Sequence, residues 1–416
     1  MKNIIGSLDQ TERTVHIWGA GFSGLVLCHY LKKAGWKVTI YEKENRAGGK
    51  IQTLKTPFGP SETGANAIFL NYDGLELLEE LGLEVIPATP KLKRKLFLNG
   101  KISSPFKLGL LFKIISRLKT KPPRLTDGLS VGDFFKPLLG ERIVHDYLST
   151  VLGGVYATGA ENLHFKSIFS ETEKMAQFKS YWDFFRIMIR HKKAQPQPKI
   201  KGSVSFEGGM GVLVDKLYTL HKEDIRLANQ QDFYPRKNTF ICTDAPTAAN
   251  LVEPYAPWLS EELKLISYQH LSSVTVFLKR PIRELQNCFG VLIPRGTSFL
   301  STGVLNNKAI FPINNPNVYA YTLISPNKLS DEDVFSEIKK LQSDLTQDDI
   351  EFIKINYWDR AIPLYDVNRS IAINRLHEHC DSTPMGFFGN YVAGISLREM
   401  ISAAKNFADK HKYQGV

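Results

Sequence analysis

The chain has 416 residues but only four cysteines, Cys28, Cys242, Cys288 and Cys380, set far apart. Their spacing excludes a disulfide framework and the paired-cysteine pattern of a structural zinc site, and it points to a reducing compartment, the cytoplasm. No apolar run is long enough to span a bilayer, because each is cut by a charge, a glycine or a proline. Residues 1–13 are polar and lack the apolar centre of a secretory signal. Low-complexity tracts and internal repeats are missing too. No Ser-His-Asp or metal-ligating constellation is visible, so no catalytic side chain and no metal is assigned. Acid is absent from one long stretch: residues 85–126 hold eleven Lys and Arg and no Asp or Glu. A second basic stretch, residues 174–201, has Asp183 as its only acid, and the net charge is +11. Such a field suits an anionic membrane surface, an anionic substrate or a plain solvated face. No nucleic-acid fold signature accompanies it, which argues against a nucleic-acid partner. Nothing in the sequence specifies an oligomeric state.

What is present reads as a soluble globular chain, with 43% apolar and 23% charged residues and enough length for two or three structural units. The most informative stretch is near its start. A short apolar run, residues 15–18, leads into Gly19-Ala-Gly21-Phe22-Ser23-Gly24. A periodic segment with Leu25, Leu27, Cys28 and Leu31 follows and ends at Gly35. A second apolar run, residues 37–41, stops at Glu42. This is strand, glycine loop, helix, turn, strand and acid. Gly19 serves the sharp turn, Gly21 lets a pyrophosphate approach bare backbone, and Gly24 lets the helix pack closely on the sheet. The helix N-terminus attracts the anionic linker, and Glu42 can accept hydrogen bonds from ribose hydroxyls. The order predicts a dinucleotide site, against the alternative of a glycine-rich turn in another α/β fold.

The chain beyond predicts an amphipathic helix at 73–81 and a hairpin around Asn99-Gly100. Residues 106–118, 131–138 and 141–151 read as helices, 151–159 as a glycine-rich bend, and 174–190 as a basic aromatic helix. The first and last of these helices suit either a bilayer surface or the wall of a cavity. Residues 212–221 form a helix after a Gly-Gly-Met-Gly block, and residues 240–246 form a strand and turn. Strands at 268–277, 289–294, 300–305, 318–324 and 353–357, with a helix at 331–345, form a second sheet-based unit. At the end, 386–394 and 396–409 return to strand, loop and helix, whose N-terminal dipole can stabilise negative charge on a bound group.

The second glycine pair, Arg46-Ala-Gly48-Gly49-Lys50, and then Glu62-Thr-Gly64-Ala65-Asn66 resemble the FAD-binding signature of the flavin amine oxidase superfamily. The closing Gly389-Asn390 to Gly394 motif is similar to that superfamily's last flavin motif. Further blocks resemble the protoporphyrinogen oxidases: residues 48–53, 153–156 with 161–163, 206–217, 289–294 running to Phe311-Pro312, and 357–365. They occur in order over nearly the whole chain.

The resemblance implies an α/β protein with a discontinuous Rossmann-like FAD domain (residues 1–90, 204–258 and 368–416). It also implies an antiparallel-sheet substrate domain (91–103 and 259–367) and a helical insertion (104–203) that could face a membrane. It implies stepwise oxidation of protoporphyrinogen IX to protoporphyrin IX, with hydride passing to flavin N5 and O2 as acceptor. The partners implied are a tetrapyrrole, O2 and peripheral membrane contact at the inner face. FAD contacts are expected from the two glycine blocks and Phe22, Ser23, Glu42, Lys43, Arg46 and Lys50. They are also expected from Gly64, Ala65, Asn66 and Gln231, and from Asn390, Gly394, Ile395 and Ser396. Arg94, Lys95 and Arg360 are candidates for substrate propionates.

Some positions depart from the family. Thr63 and Ala65 replace an Arg and a Pro, Asn368-Arg369 stands where a His is frequent, and Ala403-Ala404 replaces a glycine-containing pair. Residues 218–239 are too short for the usual three-stranded meander, so the adenine end is expected to be cut back. Rival readings are a flavin amine oxidase or desaturase-like enzyme on another apolar substrate, and an FAD- or porphyrin-binding protein without turnover.

Overall fold

The computed structural model describes residues 4–98, 100–104, 108–172, 175–311, 317–379 and 383–414. Asn99, Phe106, Lys174, Pro312 and Cys380 lie outside the described residues.

A parallel sheet of five described strands is assembled from three distant parts of the chain. Thr14–Trp18 is central, with Lys37–Tyr41 and then Ile225–Arg226 on one side and Thr239–Ile241 and then Met385–Phe387 on the other. Alternation along Thr14–Trp18 sends Val15 and Ile17 into the core shared with the helix Phe22–Lys33, and His16 and Trp18 to the opposite face. The first ten residues of that helix are all buried. Each fully buried Leu or Val there contributes about 1.5–3 kcal/mol. The C-terminal helix Leu397–Lys410 packs against it through Met400, Ile401, Ala403, Ala404 and Phe407. Ala403 and Ala404 thus line a close helix–helix approach.

The second sheet has seven strands in the order Ile350–Pro363, Tyr268–Leu278, Tyr319–Ser325, Gly303–Asn306, Cys288–Leu292, Lys93–Leu98 and Lys101–Ser103. Its pairings are antiparallel except one: Lys93–Leu98 runs parallel to Cys288–Leu292. The first-listed strand in that order, Ile350–Pro363, is much longer than the run 353–357 suggests, and its far end reaches the nucleotide fold.

Between the two halves of this sheet the chain is helical. Val131–Leu139 is capped by Ser130 and Tyr181–Ala194 by Ser180, and Phe134, Phe165, Phe178, Tyr181 and Phe184 form their shared core. The start of the second helix is tied to the end of Leu108–Arg117, because Trp182 N donates to Leu118 O and Tyr181 N to Thr120 O.

Two expectations are corrected. Residues 151–159 are not a glycine-rich bend: Gly153 and Gly154 lie inside the helix Ser149–Tyr156, and the turn comes at Ala157, with φ of 55°. Gly154 is small for packing, since a Cβ there would sit 3.0 Å from a Leu292 methyl. The helix Val367–His379 was not anticipated; it buries Ala372, Ile373 and Leu376 against the strand-and-helix layer around Ile241 and Phe387.

Candidate functional site: a dinucleotide cradle closed by both ends of the chain

The three fingerprint glycines have three separable causes. Gly19 holds φ of 106°, which a side chain resists. A Cβ on Gly24 would meet the Gly19 carbonyl oxygen at 2.0 Å, so the helix could not sit on this turn. At Gly21 the only neighbour of an added Cβ is the Gly49 Cα, at 4.0 Å. The protein itself does not need that space. It is a cradle that a Cβ would fill, at the mouth of a helix that no side chain caps.

The second glycine pair is docked directly on this loop. Gly48 N donates to Ala20 O at 2.8 Å, and Gly21 and Gly48 form a parallel bridge. Arg46 fixes the pair through its guanidinium, which donates to the carbonyls of Ala47 and Gly49. Glu42 lies nearly buried at the end of the second strand, accepting from Ala20 N at 2.7 Å and Glu44 N at 3.0 Å. Phe22 and Ser23 turn their side chains inward, the Ser23 hydroxyl donating to Cys242 O, and their backbone N–H groups belong to the uncapped first turn of the helix. Lys43 is exposed beside Glu44.

Lys50 extends the cradle towards the second sheet. Its ammonium donates to the carbonyls of Arg360 and Ala361 and lies over the Tyr268 ring. Burial pushes it down to about 8 from its usual 10.5. Gly64 is close-packed, since a Cβ would meet Lys50 O at 2.4 Å. Its neighbour Thr63, at the position of an expected Arg, is buried. Its carbonyl accepts from Trp358 Nε1 at 2.7 Å and Asn356 Nδ2 at 3.0 Å. Ala65 follows in this loop, and Asn66 reaches Thr322 of the second sheet. Glu62 opens the Glu62 to Asn66 motif, but the sequence assigns it no contact of its own. Its carboxylate accepts from Met210 N and the Thr53 hydroxyl and so locks the Gly-Met block to the hairpin of Thr53–Thr56 and Gly59–Glu62, and burial pushes its pKa up to about 7.

The chain's other end completes the site. Asn390 begins a one-turn helix, and Gly394 has φ of 126°. Ser396 caps the helix Leu397–Lys410 in a reciprocal box with Glu399. Ile395 packs on the helical layer near Tyr365, Tyr156 and Leu152. Tyr156 and Tyr365 stand with ring centroids 5.7 Å apart, and the Tyr365 hydroxyl donates to Asn390 O at 2.5 Å.

The end expected to hold the adenine differs. After Ile225–Arg226 the chain reaches Thr239 with no intervening strand, and no meander covers the outer sheet face. An aromatic ladder stands there instead. Trp18 stacks on Tyr41 at 4.8 Å, Phe233 meets Trp18 edge-on at 5.0 Å, and Tyr255 follows Phe233 at 5.8 Å. Beside it lies an open cleft of about 790 Å³ lined by Tyr41, Arg226, Asn229, Gln230, Gln231 and Arg236. Gln231 is exposed on its rim.

Of the expected substrate cations, Arg360 is not brought together with Arg94 and Lys95. Arg94 lies over the Phe289 ring on the second sheet, with Lys95 next on that strand. Arg360 instead pairs with Asp244, the cap of the helix Ala245–Val252, at 2.9 Å. Among the described residues no cluster of three His, Cys, Asp or Glu could hold a metal.

The family described as flavin containing amine oxidoreductase matches residues 22–230, from the first turn of the fingerprint helix to the adenine-side cleft. The chain belongs to that family. It is an FAD-dependent oxidoreductase, and the cradle fits FAD: bare glycine backbone for the pyrophosphate and Glu42 for a ribose. Protoporphyrinogen oxidase 2 of Arabidopsis thaliana is 26% identical over 95% of this chain and 93% of its own. Coproporphyrinogen III oxidase of Staphylococcus aureus is 23% identical over 96% of this chain and 98% of its own. The fold is shared with a provisionally assigned protoporphyrinogen oxidase from Exiguobacterium, at a TM-score of 0.75 and 16% identity over 97% of this chain and 99% of that one. It is also shared with a putrescine oxidase solved with putrescine bound, at a TM-score of 0.66 and 13% identity over 96% and 98% of the two chains.

Proposed function

We propose that this flavoenzyme oxidises a porphyrinogen, protoporphyrinogen IX, to the porphyrin, with O2 as the final acceptor. The observation that carries the reading is the Tyr156–Tyr365 pair beside the closing motif, its rings 5.7 Å apart and the Tyr365 hydroxyl on Asn390 O. It is apolar and aromatic, it brings no nucleophile or general base, and it suits a flat macrocycle held against a ring cofactor. FAD, when bound, supplies the hydride acceptor. The chain's own part is placement. Gly19, Gly21, Gly24, Gly48 and Gly49 bring backbone to the pyrophosphate, Glu42 takes a ribose, and Lys50 adds a cation. Asn390 and Gly394 to Ser396 close over the ring. Tyr156 and Tyr365 exclude water, and Arg94 and Lys95 meet substrate carboxylates at the rim. Arg360 keeps its strut role against Asp244.

In this reading residues 1–90, 204–258 and 368–416 serve FAD, 91–103 and 259–367 serve substrate, and 104–203 form the helical unit. We also assign that unit a peripheral contact with an anionic bilayer at the inner face of the membrane. Phe112, Ile115, Trp182 and Ile189 are exposed there among Arg117, Arg186 and Arg190. No described helix is long and apolar enough to cross a membrane.

The test is anaerobic mixing of the FAD-loaded protein with protoporphyrinogen IX, coproporphyrinogen III or putrescine. Bleaching of the flavin by protoporphyrinogen, and none by the amine, is expected. Bleaching by the amine alone, or by nothing, contradicts the reading. Bleaching by coproporphyrinogen alone moves the substrate to the more carboxylated macrocycle.

A further inference from the structure

Arg369 is 3% exposed, yet among the described residues its guanidinium meets no carboxylate within ion-pairing distance. A buried cation without a partner is costly, by several kcal/mol in effective desolvation. Its hydrogen bonds go to two carbonyls. Nε donates to Tyr391 O at 2.8 Å and Nη2 to Val392 O at 3.5 Å. Its plane lies 3.7 Å from the centroid of the Tyr365 ring. Tyr365 in turn holds Asn390 O. Three successive carbonyls of the closing loop are therefore gripped by one stacked Tyr–Arg pair. That loop runs directly into Gly394 and the cap at Ser396.

The groups around the pair include two carboxylates, Asp366 and Glu399, neither of them in ion-pairing contact with the guanidinium. Asp366 accepts from the Arg369 backbone N at 2.8 Å and is held up by burial. Glu399 is engaged in its own cap. Tyr156, Tyr268 and His164 are neutral near pH 7, and Arg398 lies over Phe69. Arg369 is a fixed cation packed directly behind the closing loop, its field reduced by Asp366 and Glu399 but not paired away. An anion formed there during turnover would meet it.

We infer that Arg369 is a positioning residue that fixes the closing loop and, through its buried charge, raises the reduction potential of the bound flavin. This rests on the FAD site described above and not on the identity of the porphyrinogen. The charge favours the reduced, anionic flavin over the oxidised one, so reduction becomes easier.

The measurement is the two-electron midpoint potential of FAD-loaded protein by equilibration with a reference dye. The proteins compared are wild type, Arg369→Gln, Arg369→Lys and Tyr365→Phe. Flavin content is determined first; a wild type that takes up no FAD sinks the site itself, a separate result. Arg369→Gln keeps a donor for the carbonyls but loses the charge. Its reduction equilibrium constant is expected to fall about tenfold, a shift of about 30 mV to more negative potential. Arg369→Lys and Tyr365→Phe keep the charge and are expected to stay within about threefold of wild type, under about 15 mV. The lysine also titrates, so the potential of Arg369→Lys is expected to fall extra steeply at alkaline pH, where wild type shows no such step. That signature serves even where the glutamine variant fails to fold. An unshifted Arg369→Gln overturns the inference. So does a Tyr365→Phe shift as large as that of Arg369→Gln, or an Arg369→Lys profile parallel to wild type.

Discussion

The pyrophosphate end and the adenine end of one cofactor site are built on opposite principles. At the first, backbone packs on backbone: Gly24 against the Gly19 carbonyl, Gly48 on Ala20, Gly64 on Lys50. At the second, side chains and an open cleft replace what a meander would provide. The first leaves room for one ligand geometry and little freedom to vary. The second holds its sheet face together with Trp18, Tyr41 and Phe233 and leaves Gln230 and Gln231 at a solvent-facing edge. Affinity for FAD should then come mostly from the glycine end and little from the adenine.

Breaking the first end should cost most. Gly24→Val pushes a side chain into the Gly19 carbonyl, and a loss of about 4 kcal/mol or more is expected, seen as insoluble protein or a collapsed urea midpoint. Phe233→Ala removes the ring that covers Trp18. It should cost about 3 kcal/mol in urea unfolding while the FAD-loaded fraction at saturating FAD stays near wild type.

A smaller effect is expected at Lys50. Burial lowers its pKa to about 8, so between about 8 and 10.5 the folded apoprotein binds fewer protons than the unfolded chain. Stability of the apoprotein should therefore rise with pH across that window. Anionic FAD pulls the pKa back up, so binding takes up a proton and affinity should fall by up to roughly tenfold per pH unit above 8. Titrations at several pH values check this, and Lys50→Met should flatten the profile. Gln231→Ala should be the mildest change, with FAD affinity altered by about twofold at most, because the side chain is exposed at an open rim.

The glycine end was legible in the sequence because its demands are local and steric. A positive φ at Gly19 and a forbidden Cβ at Gly24 admit one residue type each, in a window a few residues wide. The shortened 218–239 segment was legible as a missing length, but its replacement was not. Trp18 and Tyr41 come from different strands, and Phe233 from a loop nearly 200 residues further along. Glycine also misled: Gly153-Gly154 resembles a bend, yet both lie within a helix, where Leu292 leaves little room for a side chain at Gly154. Arg360, read as a rim cation, is spent on Asp244, a partner 116 positions away. Arg369 read as a motif departure because Asn368-Arg369 stands where a His is frequent, and only the packed structure places it on Tyr365 and the closing loop.

The asymmetry between the two ends is tested most directly at Gly21, where the protein leaves space that it does not use. The measurement is the flavin content of purified Gly21→Val and wild type after incubation with FAD, alongside their apoprotein urea midpoints. The expected result is an unchanged midpoint with FAD affinity weakened on the order of 100-fold, about 3 kcal/mol. Full flavin content in Gly21→Val would contradict the account, because the pyrophosphate would then lie elsewhere.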